Sequence, residues 1–238
     1  YVAHILARYH LPTTQLERGW MNTNALSILD AKEKRLINTF LLDDVDLGAA
    51  NPWQPACTPD GRFLCVTHAG THEISIIDLP ALHERLAQMD EEAAATVPNN
   101  LAFLVGLRSR IKLPGKGPRG LWLDNDHAYA CLYFSDCIVE MELGATGRRE
   151  LAQIALAEPV EMTLERQGEL YFNDADLCFQ HWQSCASCHP DVRVDALNWD
   201  LMNDGIGNPK NTRSLLLSHK TPPVMALGVR DKAETAVR

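Results

Sequence analysis

A strand–turn–strand unit occurs twice before Leu143, and it constrains the fold more than any other feature of the chain. Pro55-Ala-Cys-Thr-Pro-Asp-Gly-Arg-Phe-Leu-Cys-Val-Thr-His68 and Arg119-Gly-Leu-Trp-Leu-Asp-Asn-Asp-His-Ala-Tyr-Ala-Cys-Leu132 each read as an apolar strand, a tight polar turn and a second apolar strand. Turns rich in Asp, Asn and Gly between apolar runs are the strongest short-range sign of a β-hairpin. A third strand follows in each copy, Glu73–Asp78 and Cys137–Glu142. An earlier partial copy comprises Val2–Leu6 and Ala25–Asp30, and its His4 falls where His68 falls in the next copy.

Units of this kind, roughly 45 to 65 residues apart, predict blades of a β-propeller. Over about residues 1–145 the pattern resembles the bacterial YVTN-type propellers, whose blades carry a Pro-Asp-Gly turn and a strand like Phe63-Leu-Cys-Val-Thr67. About three blades are visible, whereas such rings close with roughly four to eight. The expectation is therefore a partial propeller within a longer protein. The chain opens as if inside a strand, and Lys232–Arg238 reads as a helix cut in mid-pattern.

Three segments follow from this reading. Residues 1–150 are propeller-like blades, residues 151–167 a linker or last strand, and residues 168–238 an incomplete, α-rich domain whose type rests on the motif at 185–189. Residues 8–24, with Arg8, Tyr9, His10 and Trp20, form an irregular loop. Residues 79–97 read as a helix opened by Pro80, with Leu82, Leu86 and Met89 at helical spacing. A net charge of −9 argues against nucleic acid or an anionic membrane surface as partner. The longest apolar run, Leu101–Leu107, falls far short of the roughly 20 residues that span a bilayer.

The class of chemistry rests on Cys185-Ala-Ser-Cys188-His189. Cys-x-x-Cys-His is the attachment motif of c-type haem: two thiols reach the two vinyl groups of one porphyrin, and the His that follows lies under the iron. A zinc site would need further ligands, with His219 alone to supply them. A thioredoxin-like pair would open a helix after a strand, whereas this one follows a polar, Gln-rich stretch. The motif therefore predicts one covalent haem, with His189 as proximal ligand, and makes residues 168–238 a domain of the cytochrome c type.

The flanks resemble the di-haem cytochrome c peroxidase superfamily over about residues 165–238. Gly168-Glu-Leu-Tyr-Phe-Asn-Asp-Ala-Asp-Leu-Cys178 is similar to its Gly-x-x-Leu-Phe-x-Asp-x-Arg-Leu-Ser element, with Tyr171 inserted and Asp176 in place of Arg. Asn211–Leu215 resembles its Arg-Asn-x-Pro-Thr segment without the Pro, and Val224–Arg230 stands where the family has Phe-Trp-Asp-Gly-Arg. The chain departs from the family in having one haem motif and no His in the loop 203–209. The resemblance implies an exported redox protein of the bacterial periplasm. It would act in electron transfer or peroxidase-like reduction of hydrogen peroxide, with a redox partner protein or a second haem domain and with the blades as docking surface. The alternative is a propeller binding or scaffold protein whose haem domain is structural or vestigial. The third reading is a metal-binding module without haem.

Met225 and His219 are the candidates for a distal iron ligand, and a vacant or water-filled position is the third option. Lys210, Arg213 and Lys220 are candidates to neutralise haem propionates. Asp200, Asn203, Asp204 and Asn208 offer oxygens for Ca2+, though ordinary turn chemistry accounts for them. Five further cysteines remain, at 57, 65, 131, 137 and 178. Bridges Cys57–Cys65 and Cys131–Cys137 compete with a role as small buried apolar residues.

Overall fold

The structure, a computed structural model, describes residues 1–11, 19–144, 150–158, 161–202, 205–225 and 228–236. Three antiparallel sheets follow one another along the chain. The first contains β1 (Val2–Ala7), β2 (Asn22–Asp30) and β3 (Arg35–Leu41), in that order. The second contains β4 (Pro52–Cys57), β5 (Phe63–His68), β6 (Glu73–Asp78) and β7 (Arg108–Lys112). The third contains β8 (Pro118–Leu123), β9 (His127–Leu132), β10 (Cys137–Glu142) and β11 (Leu151–Ala155). Their first strands β1, β4 and β8 lie beside one another in sequence, as the inner strands of successive propeller blades do.

Side-chain alternation explains why the sheets stack. On β5, Leu64 and Val66 face the core shared with the first sheet, where they meet Leu26, Ile28, Phe40 and Leu42. Cys65, between them, faces the opposite core with Leu121, Ala128, Ala130 and Val139 of the third sheet. The period-2 pattern thus gives β5 and β6, at the centre of the middle blade, two apolar faces. Burying each aliphatic side chain there contributes about 1.5–3 kcal/mol. The two hairpin turns also touch: Arg62 donates to Asn125 O at 2.7 Å, and Asp126 Oδ1 lies 2.8 Å from its guanidinium.

Residues 79–97 form two short helices, α1 (Leu79–Ala87) and α2 (Glu91–Thr96). Asp78 caps the first by accepting from Ala81 N–H, and Asp90 caps the second by accepting from Ala93 N–H. Leu79 and Leu82 anchor α1 in the core between the first two blades.

The C-terminal part differs from the α-rich domain expected of it. It holds α3 (Leu164–Asn173), a single turn α4 (Cys185–Cys188), short 3-10 turns, and a two-stranded ribbon of β12 (Asn198–Trp199) and β13 (Lys210–Asn211). The reason is local. Left-handed backbone at Gln180, His181, Asp191, Val192 and Ala196 interrupts helix on both sides of the cysteines. No helix among the described residues is long and apolar enough to cross a membrane.

The strand register also decides the cysteine pairs. Cys57 is opposite Leu64, and Cys65 is opposite Ala56, so the two thiols point to different faces of their hairpin. Cys131 and Cys137 are offset in the same way, one exposed and one buried. All seven cysteines are free thiols.

Candidate functional site

The segment from Cys178 to His189 lies against the rim of the first two blades, and polar groups of the blades hold it there. At its centre Trp182 is fully buried with Ala25, Leu41 and Leu101. The backbone reaches this depth because Gly48 has no side chain: a Cβ there would stand 2.4 Å from Trp182 Cα. Gly48 N–H donates to Gln180 O at 2.8 Å.

Three asparagines make further contacts. Asn24, buried on β2, donates from Nδ2 to Asp43 Oδ1 at 2.7 Å and to Trp182 O at 3.1 Å. Its Oδ1 accepts from Asn51 N–H at 3.1 Å. Asn51 donates from Nδ2 to Ser184 Oγ at 2.8 Å and accepts from the Ser187 hydroxyl at 2.7 Å. Ser184 and Ser187 form a reciprocal capping box around α4, which fixes this one-turn helix. Asn22 donates from Nδ2 to Gln183 Oε1 at 3.2 Å and to Cys188 Sγ at 3.0 Å. Under all of them sits Asp43, fully buried, accepting from the backbone N–H groups of Asn24 and Ala49. Burial pushes its carboxyl up to about 6, against the pull of those donors.

Cys185 is exposed, while Cys188 is half-buried. Burial pushes the Cys188 thiol up to about 11, partly opposed by the Asn22 hydrogen bond. Thiols held in this direction are protonated, unlike that of an activated redox pair. His189 Nδ1 lies 3.3 Å from Arg193 O. A proton on Nδ1 satisfies that carbonyl and leaves the Nε2 lone pair for a metal. Two free thiols on one helical turn, followed by an imidazole in this tautomer, form a donor set that fits a covalently attached haem.

The structure gathers Cys185, Cys188 and His189 and spreads the other predicted residues along the segment after them. Lys210 is in β13, and Arg213 is exposed just beyond it. His219 lies in the 3-10 turn Ser218–Lys220, and Met225 is exposed with a positive φ of 70°. Of the oxygens considered for Ca2+, those of Asp200 accept from Met202 and Gly207 N–H groups. Asn203 and Asp204 lie outside the described residues.

A second cluster ties the same segment to the blades. His72 Nε2 lies 3.1 Å from Asp174 Oδ1, and His72 Nδ1 accepts from Gly117 N–H at 3.0 Å. The ligand atoms of His72, Asp174 and Asp176 are close enough together to surround a metal ion. The chemistry favours a latch instead. Because Nδ1 accepts a hydrogen bond, the neutral ring carries its proton on Nε2, where a metal would need a lone pair. Lys112 and Lys116 already neutralise both carboxylates, at 3.0–3.2 Å.

None of Asn22, Asn24, Asn51 or Asp43 stands out in the linear pattern. The only trace is polar residues at Asn22-Thr-Asn24, where a strand entering a core would carry apolar ones.

Three stacked blades with a Cys-x-x-Cys-His turn clamped to their rim define the class: a protein of partial β-propeller architecture. No family model matches the chain. It is 26% identical over 137 residues to hydrazine synthase subunit beta of Kuenenia stuttgartiensis, covering 57% of this chain and 36% of that protein. It is 39% identical over 66 residues to hydrazine synthase subunit gamma of the same organism, covering 27% of this chain and 19% of that protein. The solved Kuenenia stuttgartiensis hydrazine synthase superposes with a TM-score of 0.55 at 23% identity, over 60% of this chain and 41% of that one. The periplasmic gluconolactonase PpgL of Pseudomonas aeruginosa superposes with a TM-score of 0.40 at 16% identity, over 59% of this chain and 38% of that one. The chain thus spans about a third of the beta subunit and a fifth of the gamma subunit.

These relatives correct the family resemblance drawn from the sequence. The matches are hydrazine synthase subunits, not YVTN-type blades joined to a di-haem cytochrome c peroxidase. Peroxidase-like and electron-transfer function, read from that resemblance, find no support in them. The motif at Cys185–His189 is common enough to occur outside that family, and the flanking matches were short and interrupted.

Proposed function

We propose that this chain is a propeller-type scaffold subunit of a multi-protein assembly, with one haem held covalently and structurally at Cys185, Cys188 and His189. The observation that carries the scaffold reading is the 137-residue match to a protein named as a subunit, hydrazine synthase beta. The blades fit such a role, since the two central strands of the middle sheet are apolar on both faces and packed between their neighbours. Haem, when bound, supplies an iron centre and a large apolar surface; the chain's own part is to hold it by two thioethers and one imidazole. Such thioethers are made on the exported side of a bacterial membrane, so the haem reading carries a periplasmic location with it.

Purification of the tagged protein from its own host, followed by native mass spectrometry and a pyridine haemochrome spectrum, tests both parts. The expected result is a complex of fixed stoichiometry that persists in high salt, with one haem per chain. A lone monomer overturns the subunit reading. Protein exported through a haem-attaching system yet lacking a Soret band overturns the haem.

A further inference from the structure

Cys185 and Cys188 stand on one turn but in different surroundings. Cys185 is exposed and free to meet a porphyrin edge. The sulfur of Cys188 is tied to the blade by Asn22 Nδ2 at 3.0 Å. The second proton of that amide goes to Gln183 Oε1 at 3.2 Å, so the amide has one orientation. Asn22 is buried, and β2 fixes its backbone through pairing with Ala7. One turn earlier on the same rim, Asn51 spans the capping box by binding Ser184 and Ser187 together. The turn that bears both thiols is thus set by blade residues more than 130 positions away in sequence.

We propose that the rim of the first two blades is the template on which Cys188 is joined to haem, with Asn22 of the first positioning the sulfur and Asn51, at the start of the second, positioning the turn. This inference rests on the haem reading of Cys185–His189. The step is the addition of a thiol across a vinyl group: the S–H bond and the vinyl C=C π bond break, C–S and C–H bonds form, and no external oxidant or reductant is needed. Such an addition depends on holding sulfur and vinyl carbon in register, which the Asn22 hydrogen bond does by removing the rotamer freedom of the Cys188 side chain. Among the described residues no blade side chain holds the sulfur of Cys185 in this way, which leaves it to the attachment machinery. Asn22 and Asn51 are therefore positioning residues.

The test compares wild type, Asn22→Ala and Asn51→Gly, exported in a host with haem-attachment machinery. Gly suits position 51 because Asn51 has a φ of 55°, so the backbone is kept while the clamp is removed. Mass spectrometry of the haem peptide counts one thioether against two, and thermal melting of the same samples reports the blades. The expected result is a several-fold rise in haem held through Cys185 alone, with blade melting retained in at least Asn51→Gly. Two thioethers at wild-type yield in both variants overturn the inference. Should wild type carry no haem, the haem reading fails, and native alkylation of Cys188 decides the positioning. Alkylation several-fold faster in the variants upholds the blade's hold on the sulfur; an unchanged rate overturns it.

Discussion

The side-chain amide of Asn24 donates to the carbonyl of Trp182 at 3.1 Å, joining a strand of the first blade to the segment that leads into the Cys-x-x-Cys-His turn. The same amide group donates to Asp43, and its oxygen accepts from Asn51 N–H. One residue therefore connects a buried carboxylate, the start of the second blade and the docked segment.

Asn24→Ala removes these bonds without leaving water a route in, since Asn24 is 1% exposed. A buried group left unpaired costs about 1–3 kcal/mol, and Asp43, Trp182 O and Asn51 N–H are all affected. The expected loss is about 3 kcal/mol or more in urea unfolding. A change below 1 kcal/mol contradicts the central place given to Asn24.

Gly48→Ala separates docking from blade stability. The new methyl would meet Trp182 Cα and the His181 carbonyl at 2.4–2.5 Å, and both are backbone atoms that cannot swing aside. The segment around residues 180–189 is expected to lift away while the blades persist. Limited proteolysis should then cut between Cys178 and His189 at least ten-fold faster than in wild type. An unchanged cleavage pattern would show that Gly48 is not the contact that sets the depth of Trp182.

The three sheets were legible in the sequence because strand alternation and Asp/Gly/Asn turns are local signals. Phe63–His68 and Cys137–Glu142 show them within six residues. The site was legible only as its five-residue motif. Its support was hidden because the partners Asn51 and Ser184 are 133 positions apart, and no periodicity links them. The α-rich C-terminal domain was expected from family resemblance, which says nothing about the left-handed residues flanking Trp182 and His189. The cysteine pairs were ambiguous because only register, not spacing, decides which face a thiol takes.

Arg166 fastens α3 to the third blade. Its guanidinium lies 4.0 Å from the Tyr133 ring centroid, donates to Tyr133 O at 2.5 Å and pairs with Glu169 at 2.9 Å. Arg119 stacks on the same ring at 3.7 Å. Arg166→Ala is expected to cost about 1 kcal/mol and to speed hydrogen exchange throughout Leu164–Asn173. Arg166→Lys should recover only part of this, since an ammonium cannot stack on the ring as a planar guanidinium does. Equal exchange in all three proteins would mean that α3 is held by something else.

The peptide of Ala49 joins two buried titrating groups whose pH effects oppose each other. Its N–H donates to Asp43 Oδ1 at 2.7 Å, and its carbonyl lies 3.0 Å from His68 Nδ1. Asp43 titrates at about 6 in the fold, against 3.8 ordinarily. The folded protein therefore keeps this proton to higher pH than the unfolded chain. Its contribution is full below 3.8 and is lost as pH rises to about 6, a change of about 3 kcal/mol. His68 is held well below 6.5 by burial and by Arg110 and Arg108. Above 6.5 its ring is neutral in both states; as pH falls below that, the unfolded chain takes up the proton first and stability drops. Asp43→Asn should remove the first effect and His68→Gln the second. Urea midpoints of wild type and both variants between pH 4 and 7 measure this directly. Relative to wild type, Asp43→Asn should lose stability as pH falls from 6 to 4, and His68→Gln should gain it. Profiles parallel to wild type would show that neither group titrates differently in the folded and unfolded chain, which would contradict the burial that places both beside Ala49.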